Sequence, residues 1–331
     1  MINHKATVII PTYNGDKYLD KLLKMVFKQE VDFNYDVIVI DSTSQDGTVD
    51  IIQRHLKEHE NMQFEQIPTK EYGHGKTRNY AARKAEGEFV VFLSQDAIPE
   101  TKHWLYEITK PFELNEKIVG VVGKQVPRHK CVPLLKYEIR GVFKGLGSDA
   151  STSISYKDSF MKDKVFNDTV TFYSDVNSAA RRDFLVNVIP YRDVPYAEDQ
   201  LFGRDIIEAG YQKAYASRGS VIHSNDIKLS EYKHRTFDEI VGLRRIETPL
   251  EVPSIKSIVK RVVLGSMVDA YRTVRDNRYS FKRKVFWLVV NPLYHIEKWR
   301  GYRTALKFDL ADELIFTKHS LEAKRYKKHS S

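Results

Sequence analysis

Acidic and amide side chains follow the apolar runs in the first hundred residues of this chain. Asp41 comes directly after the run 37–40, and Gln95 and Asp96 come just after the run 89–93. A hard cation such as Mg²⁺ or Mn²⁺ can be held by one or two protein oxygens together with phosphate oxygens and water. The pattern therefore predicts a ligand site at the ends of these runs.

The runs that precede these side chains have the composition of buried parallel strands. Residues 7–10, 37–40 and 89–93 are rich in Val, Ile and Phe and show no polar alternation, which is typical of strands covered by helices on both faces. Helical segments lie between them, so the order is strand, helix, strand, helix, strand. We predict an α/β fold with a mostly parallel central sheet flanked by helices, and ligands bind beyond the carboxyl ends of such strands.

The composition indicates a globular protein of a reducing compartment. The 331 residues are 42% hydrophobic and 29% charged, which allows a substantial core. Cys131 is the one cysteine, so an internal disulfide is excluded, and the N-terminus shows no signal-peptide pattern. The apolar run 285–290 is far shorter than the roughly 20 residues of a membrane span. We expect a cytoplasmic protein without a transmembrane helix.

Two prolines mark the predicted boundary between two parts of the chain. Pro249 and Pro253 interrupt regular structure, so we predict a catalytic domain over residues 1–250 and a helical, basic C-terminal region over residues 251–331. This region contains 18 Lys and Arg against 8 Asp and Glu, a net charge of +10, while the whole chain carries +9. Within it, the Asn-Pro pair at 291–292 predicts a break between two helical stretches.

Three ordered segments resemble the motifs of one enzyme family. Residues 8–15 read VIIPTYNG, residues 39–48 read VIDSTSQDGT, and residues 197–200 read AEDQ. Together they resemble glycosyltransferase family 2, the inverting enzymes with a GT-A fold, and the resemblance covers roughly residues 5–225. Three ordered motifs are harder to meet by chance than one. The resemblance implies nucleotide-sugar binding in about residues 1–125 and an acceptor side in about residues 126–250.

The resemblance implies donor contacts from the ends of the first two strands. In the family the first loop lies along the nucleoside, which implies contacts from Pro11, Thr12, Tyr13 and Asn14. Asp41 matches a carboxylate that accepts the imide proton of a pyrimidine base, although Ser42 replaces the second acidic residue of the family pattern. Taken alone, the first loop also fits an ordinary strand-to-helix turn with Asn14 as the N-cap.

A glycine-containing segment offers further donor contacts. Residues 73–79 read GHGKTRN. Glycine lets a backbone approach a diphosphate closely, and basic side chains offset its charge. We therefore predict donor binding by Gly75, Lys76 and Arg78, while solvated basic residues in a common type of loop are the alternative.

Residues 94–96, which read SQD, occupy the place of the Asp-x-Asp motif that holds a divalent cation against the donor diphosphate in the family. Asp96 keeps the carboxylate, and Gln95 beside it is predicted to contact the donor. His223 resembles a histidine that several members bring back to the metal, although a histidine at a strand end also suits a structural role. The resemblance implies Mg²⁺ or Mn²⁺ as the cofactor. Residues 92–97 also look like the variant common in bacterial rhamnosyltransferases, which use dTDP-L-rhamnose.

The Glu198-Asp199 pair resembles the family's catalytic acidic pair. Inverting transfer needs a base that takes the acceptor proton as the acceptor oxygen attacks the anomeric carbon, and Asp199 is the matching position. Carboxylates also favour a helix N-terminus through its dipole, which is the alternative. Glu198, Asn177 and Arg181 resemble residues of the acceptor side, although the start of a surface helix also explains the last two.

The basic C-terminal region has two interpretations. A Lys/Arg-rich amphipathic helix with aromatic residues can lie on an anionic bilayer, which predicts peripheral attachment at the inner face of the cell membrane. Its apolar stripe can also pack on the catalytic domain or on a second subunit of a homo-oligomer. Nucleic acid is not an expected partner because no recognised binding module accompanies the charge.

These observations predict a metal-dependent inverting glycosyltransferase. The favoured reaction transfers L-rhamnose from dTDP-L-rhamnose to a lipid-linked saccharide in bacterial cell-surface polysaccharide synthesis. Thymine and uracil present the same imide edge, so a UDP-hexose or UDP-N-acetylhexosamine donor stays open. A non-catalytic nucleotide-sugar-binding scaffold is the alternative from another class, and the presence of both Asp96 and Asp199 argues against it.

Overall fold

The computed structural model describes residues 4–158, 168–321 and 323–324 of the chain. It divides into two compact units. The sheet unit comprises Met1–Pro127 and Ile139–His223, and the helical unit comprises Arg128–Glu138 and Ser224–Ser331. Part of the predicted basic region, residues 322 and 325–331, lies outside the described residues. The functional division predicted at residue 250 stays a prediction, because compactness alone assigns no function to either part.

In the described residues, nine strands form one sheet within the sheet unit. They are β1 (His4–Thr12), β2 (Asn34–Asp41), β3 (Met62–Gln66), β4 (Phe89–Leu93), β5 (Ile98–Pro99), β6 (Ile118–Val126), β7 (Thr152–Ser155), β8 (Asn177–Arg181) and β9 (Gln212–Ile222). Their order is β3-β2-β1-β4-β8-β6-β9-β5, and β7 also pairs with β9.

Twelve α-helices lie in the described part of the chain. They are α1 (Asp16–Val26), α2 (Thr48–Glu58), α3 (His74–Lys84), α4 (Trp104–Thr109), α5 (Pro133–Leu146), α6 (Asp168–Thr171), α7 (Arg182–Asn187), α8 (Glu198–Glu208), α9 (Leu229–Arg245), α10 (Ile255–Arg275), α11 (Phe281–Lys307) and α12 (Glu313–His319). Short 3₁₀ turns cover Thr69–Glu71 and Lys110–Glu113.

The sheet is mixed in direction. Strands β3, β2, β1 and β4 pair in parallel, and β6 pairs in parallel with β9. Strand β8 lies between the two halves and is antiparallel to both β4 and β6. Strands β5 and β7 are antiparallel to β9. Six of the nine strands therefore share one direction, as the mostly parallel prediction requires.

Both faces of the sheet are buried. Along β1, Val8 and Ile10 join one apolar cluster, whereas Ile9 joins the cluster on the other face. Successive side chains of a strand point to opposite faces, so a strand covered on both sides is apolar at most successive positions. This is the physical reason for the unbroken Val and Ile runs. At their carboxyl ends β1 and β2 finish together, with Thr12 paired to Asp41.

The helical unit corrects one prediction. Helix α11 continues through Pro292 from Phe281 to Lys307, so the predicted break is wrong. Tertiary contacts hold the helical turn around Pro292. The neighbouring Asn291 is buried, accepts from the Leu134 N–H at 2.9 Å and donates to Asp269 Oδ2 at 3.2 Å. Across the described ranges, no helix combines the length and the apolar character that crossing a membrane requires.

Candidate active site

The Asp41 side chain ties together the loops that follow β1 and β2. It is fully buried, and Thr12 Oγ1 donates to its Oδ1 at 3.0 Å. Its Oδ2 accepts from the Ser44 N–H at 2.9 Å and from Gln66 Nε2 at 3.0 Å. Both carboxylate oxygens are therefore used inside the protein. The geometry supports a role in shaping the loop, and a direct contact of Asp41 with a base stays a prediction.

Gln95 holds the loop that follows β1. Its Oε1 accepts from the Tyr13 N–H at 2.8 Å, and its Nε2 donates to the Tyr13 carbonyl at 2.9 Å. A Cβ added to Gly15 would lie 2.3 Å from Gln95 Oε1, so a larger residue at this position would displace the Gln95 side chain. Asn14 has a φ of 48°, a region that asparagine tolerates. Pro11 lies inside β1, not in the turn after it.

Asp96 and His223 lie side by side beyond the ends of β4 and β9. His223 Nε2 is 3.5 Å from Asp96 Oδ1. His223 Nδ1 is 3.0 Å from Gln125 Oε1, which only accepts, so Nδ1 carries the hydrogen and the neutral ring keeps its lone pair on Nε2. An imidazole oriented from behind and placed beside a carboxylate is a donor set that fits Mn²⁺. The structure thus brings together the two residues predicted to bind a metal.

The guanidinium of Arg78 is buried between two carboxylates. Its Nη1 donates to Glu198 Oε1 at 2.6 Å, and its Nε is 3.2 Å from Asp175 Oδ2. Burial disfavours its charged form, but the charges of Asp175 and Glu198 outweigh burial and raise the pKa of Arg78. Burial itself raises the pKa of Glu198, against the attraction of Arg78. Arg78 therefore neutralises acidic side chains of the protein, whereas the sequence predicted a diphosphate contact.

Asp199 lies in the first turn of α8, beside this ion pair. Its Oδ1 accepts from the Gln200 N–H at 2.8 Å and its Oδ2 from the Asp175 N–H at 3.3 Å. Ala197 enters the helix with a φ of 64°, a left-handed conformation that costs about 1–3 kcal/mol. Burial raises the pKa of Asp199 well above its ordinary value, and the charges of Glu198 and Asp175 raise it further. An ionised carboxylate of raised pKa is a stronger base.

Hydrogen bonds, together with the peptide link between Ser174 and Asp175, connect Asp199 to His223 along one edge of the sheet. Asp199 accepts from the backbone of Asp175, and the adjacent Ser174 Oγ accepts from Gln125 Nε2 at 3.1 Å. Gln125 then orients the His223 ring. The predicted base and the predicted metal residues therefore belong to one connected network at the carboxyl end of β4.

Asn177 and Arg181 have structural contacts. Asn177 is fully buried and accepts from Trp104 Nε1 at 2.9 Å, while its amide nitrogen donates to the carbonyls of Lys124 and Gly219. Arg181 pairs with Phe89 at the amino end of β4, because β8 runs antiparallel to it. Its guanidinium donates to the carbonyls of Ile118 and Phe112. The polar groups of both side chains are therefore engaged inside the protein, and a contact of either residue with the saccharide acceptor stays a prediction.

The predicted phosphate loop is the start of a helix. Helix α3 begins at His74, so Gly75 and Lys76 lie in its first turn. A Cβ at Gly75 would lie 2.6 Å from the carbonyl oxygen of Arg192, so close packing of the chain explains this glycine without a ligand. Lys76 is exposed, and its contact with a donor stays a prediction.

Sequence reasoning missed Asp175 and Gln125. Asp175 is 1% exposed and accepts from Tyr191 Oη at 2.8 Å and from Ser178 Oγ at 2.6 Å. No spacing marked it, since its partners lie far along the chain or belong to no motif. The available signal was an acidic residue within a short stretch of aromatic and small residues just before Asn177.

Sequence comparisons with known proteins find a matching family model and relatives that align over most of the chain. Residues 7–188 match the model described as glycosyl transferase family 2. The O-antigen chain rhamnosyltransferase WbaN of Salmonella anatum is 29% identical over 301 residues, which cover 90% of this chain and 88% of the relative. RfbN of Salmonella typhimurium, also an O-antigen chain rhamnosyltransferase, is 28% identical over 312 residues, with the same coverage.

The fold is also found among solved structures. The mannosyltransferase PcManGT from Pyrobaculum calidifontis, solved in complex with GDP-Man and Mn²⁺, aligns with a TM-score of 0.58 at 16% identity. The alignment covers 92% of this chain and 88% of that protein. Likeness at this level of identity concerns the fold, and it confirms the predicted GT-A architecture.

Proposed function

Since this chain belongs to glycosyl transferase family 2 and is a glycosyltransferase, we propose that it transfers L-rhamnose from dTDP-L-rhamnose to a lipid-linked saccharide in bacterial cell-surface polysaccharide synthesis. The observation that carries the reaction is the network that places Asp199 and the Asp96–His223 pair on one edge of the sheet. The choice of sugar is supported by the two O-antigen rhamnosyltransferases, which align over 90% of the chain.

In the proposed reaction, Asp199 acts as the general base. The acceptor oxygen forms a bond to C1 of the sugar as the bond from C1 to the diphosphate breaks, so the configuration at C1 inverts. The hydroxyl proton passes to the Asp199 carboxylate, whose raised pKa favours accepting it. Glu198 is held by Arg78, which fixes the start of α8 and with it the position of Asp199.

Asp96 and His223 are the proposed ligands of a Mg²⁺ or Mn²⁺ ion. One carboxylate and one imidazole leave most of a six-coordinate shell to phosphate oxygens and water, as these cations prefer. When bound, the ion supplies positive charge that stabilises a departing diphosphate. The donor nucleoside is proposed to lie against the loops after β1 and β2, near Tyr13 and Asn14, with Lys76 toward the phosphates.

We also propose that the helical unit attaches to an anionic membrane surface. Helices α10 and α11 carry a membrane face of exposed apolar side chains, formed by Ile255, Val259, Val263, Met267, Tyr271, Val274, Phe281, Val285, Phe286, Val289 and Leu293. Phe281 is 81% exposed and Val289 70%. Because residues 251–331 carry a net charge of +10, basic side chains can meet lipid headgroups while apolar ones enter the interface.

Vesicle flotation tests this attachment. Binding to vesicles of phosphatidylglycerol and phosphatidylcholine should exceed binding to phosphatidylcholine alone, and V289E should reduce it. The control L114E changes an apolar side chain that is 59% exposed in the sheet unit, and it should bind as the wild type does. If the wild type self-associates but does not bind vesicles, and V289E no longer self-associates, then a second subunit covers this face.

A donor panel tests the reaction. Thermal shifts and product formation are measured with dTDP-L-rhamnose, UDP-glucose, UDP-galactose and UDP-N-acetylglucosamine, with and without Mn²⁺. We expect stabilisation and donor turnover with dTDP-L-rhamnose, enhanced by Mn²⁺. Preference for a UDP-sugar would overturn the donor assignment, and tight donor binding without hydrolysis or transfer would favour a scaffold.

A further inference from the structure

A second group of side chains that are able to hold a metal lies at the C-terminal end of α2. His55 and Glu58 are spaced i, i+3 on the helix, and His59 follows as its C-terminal cap in an extended conformation with a φ of -134°. One ligand atom from each lies within 4.8 Å of the other two. Tetrahedral ligands about 2.1 Å from a Zn²⁺ ion are roughly 3.4 Å apart. Small side-chain rotations would therefore bring the three ligand atoms to this spacing. Glu58 is exposed and can make that movement.

His55 is oriented as a metal ligand would be. It is 2% exposed, and its Nε2 is 3.1 Å from Asp20 Oδ1. A carboxylate only accepts when ionised, so Nε2 carries the hydrogen and Nδ1 keeps the lone pair. Among the described residues, buried Nδ1 has no hydrogen-bond partner. A carboxylate behind a ligating histidine is the usual support of a bound metal ion.

The two imidazoles are held in compatible positions. Phe27 stacks on His59 with the ring centroids 3.7 Å apart and 9° between the planes. The His55 and His59 centroids are 5.9 Å apart, and their planes differ by 13°. Two imidazoles on one tetrahedral Zn²⁺ have centroids about 5 Å apart, close to this spacing.

We propose that His55, Glu58 and His59 bind a divalent transition metal of the Zn²⁺ type, and that the ion stabilises the packing of α2 on α1 through Asp20. Two imidazoles and one carboxylate suit Zn²⁺ better than Mg²⁺, which prefers oxygen ligands alone. The cluster lies about 10–16 Å along α2 from Thr48, which bonds to the loop after β1. This metal is therefore distinct from the one proposed at Asp96.

Metal titration of the full chain, freed of any purification tag, tests the proposal. The D96N background removes the active-site carboxylate, and Zn²⁺ affinity is measured by competition with a chromophoric chelator. We expect one tightly bound equivalent, a rise in Tm on adding Zn²⁺, and in both H59Q and E58Q a loss of affinity at least as large as the roughly 10–100-fold that loss of a second-shell partner causes. H103Q is the control, because His103 has a side chain that is 62% exposed elsewhere in the sheet unit.

Two results would overturn the proposal. One is unchanged Zn²⁺ affinity in H59Q and E58Q, which would place the metal elsewhere. The other is the absence of a tight equivalent in the D96N background. Both variants change residues that reach the surface, so loss of folding is checked by circular dichroism. Sugar transfer is not a readout here, and the result is independent of the proposed reaction.

Discussion

Replacing Arg78 with methionine should remove the one cation that the structure places between Asp175 and Glu198. Arg78→Met keeps an apolar stem of similar length, whereas the two carboxylates stay 1% and 6% exposed. Removing one partner of a buried ion pair costs about 3–5 kcal/mol. One guanidinium serves two carboxylates here, so we expect the upper part of that range, against a total stability of about 5–15 kcal/mol.

Urea unfolding followed by circular dichroism measures this loss as a change in the midpoint at constant slope. Arg192→Met is the matched control, because Arg192 pairs with Asp205 while 54% exposed, and such a pair contributes about 0–1 kcal/mol. Adding Glu198→Gln to Arg78→Met should restore part of the stability, since a neutral amide is easier to bury. An equal loss in Arg78→Met and Arg192→Met would refute the reasoning.

Three further predictions concern single side chains. Asp199→Asn should retain donor binding by calorimetry but lower the transfer rate about 10²–10⁴-fold, whereas Asp205→Asn on the same helix should not. Because the folded state raises the pKa of Asp199, wild-type stability falls as pH rises from 3.8 through that raised value, so the Tm advantage of Asp199→Asn should grow over this interval. Asp96→Asn should abolish the effect of Mn²⁺ on donor affinity while leaving Tm without ligand nearly unchanged. Burial lowers the pKa of Lys213 to about 7, so Lys213→Met should raise Tm, and more at pH 6 than at pH 9.

Local sequence predicted the parallel half of the sheet well. Residues 8–10 of β1, 37–40 of β2 and 89–93 of β4 are apolar at every position because both faces are buried, and that requirement is visible in the residues themselves. Strand β8 reads NSAAR and carries no such signal. Its place between β4 and β6 depends on backbone pairing with both strands, which are distant from it in the sequence, so only the tertiary structure shows it.

The candidate site was predicted in part for a similar reason. The position of Asp96 followed from a strand end, beyond which ligands bind in such a sheet, and the metal role of Asp96 and His223 followed from the resemblance to the family. Arg78 was assigned to the donor diphosphate because a basic side chain can offset its charge, whereas here a partner 120 positions away, Glu198, lies against it. Asp175 had no local pattern. Pro292 lies within α11 because distant contacts of its neighbour Asn291 outweigh the helix-breaking tendency of proline.

The position of β8 also sets the order in which this protein can be completed during synthesis. Strand β4 reads FVVFL and pairs with β1 on one edge. Its other edge is covered by β8, which ends at Arg181. About 90 residues separate the two, which a ribosome adds in roughly 4–18 s at 5–20 residues per second. For that interval an uncharged, strongly β-forming edge of the nascent chain is open to neighbouring polypeptides. Chaperone dependence and inclusion-body formation at high expression are therefore expected properties of this topology.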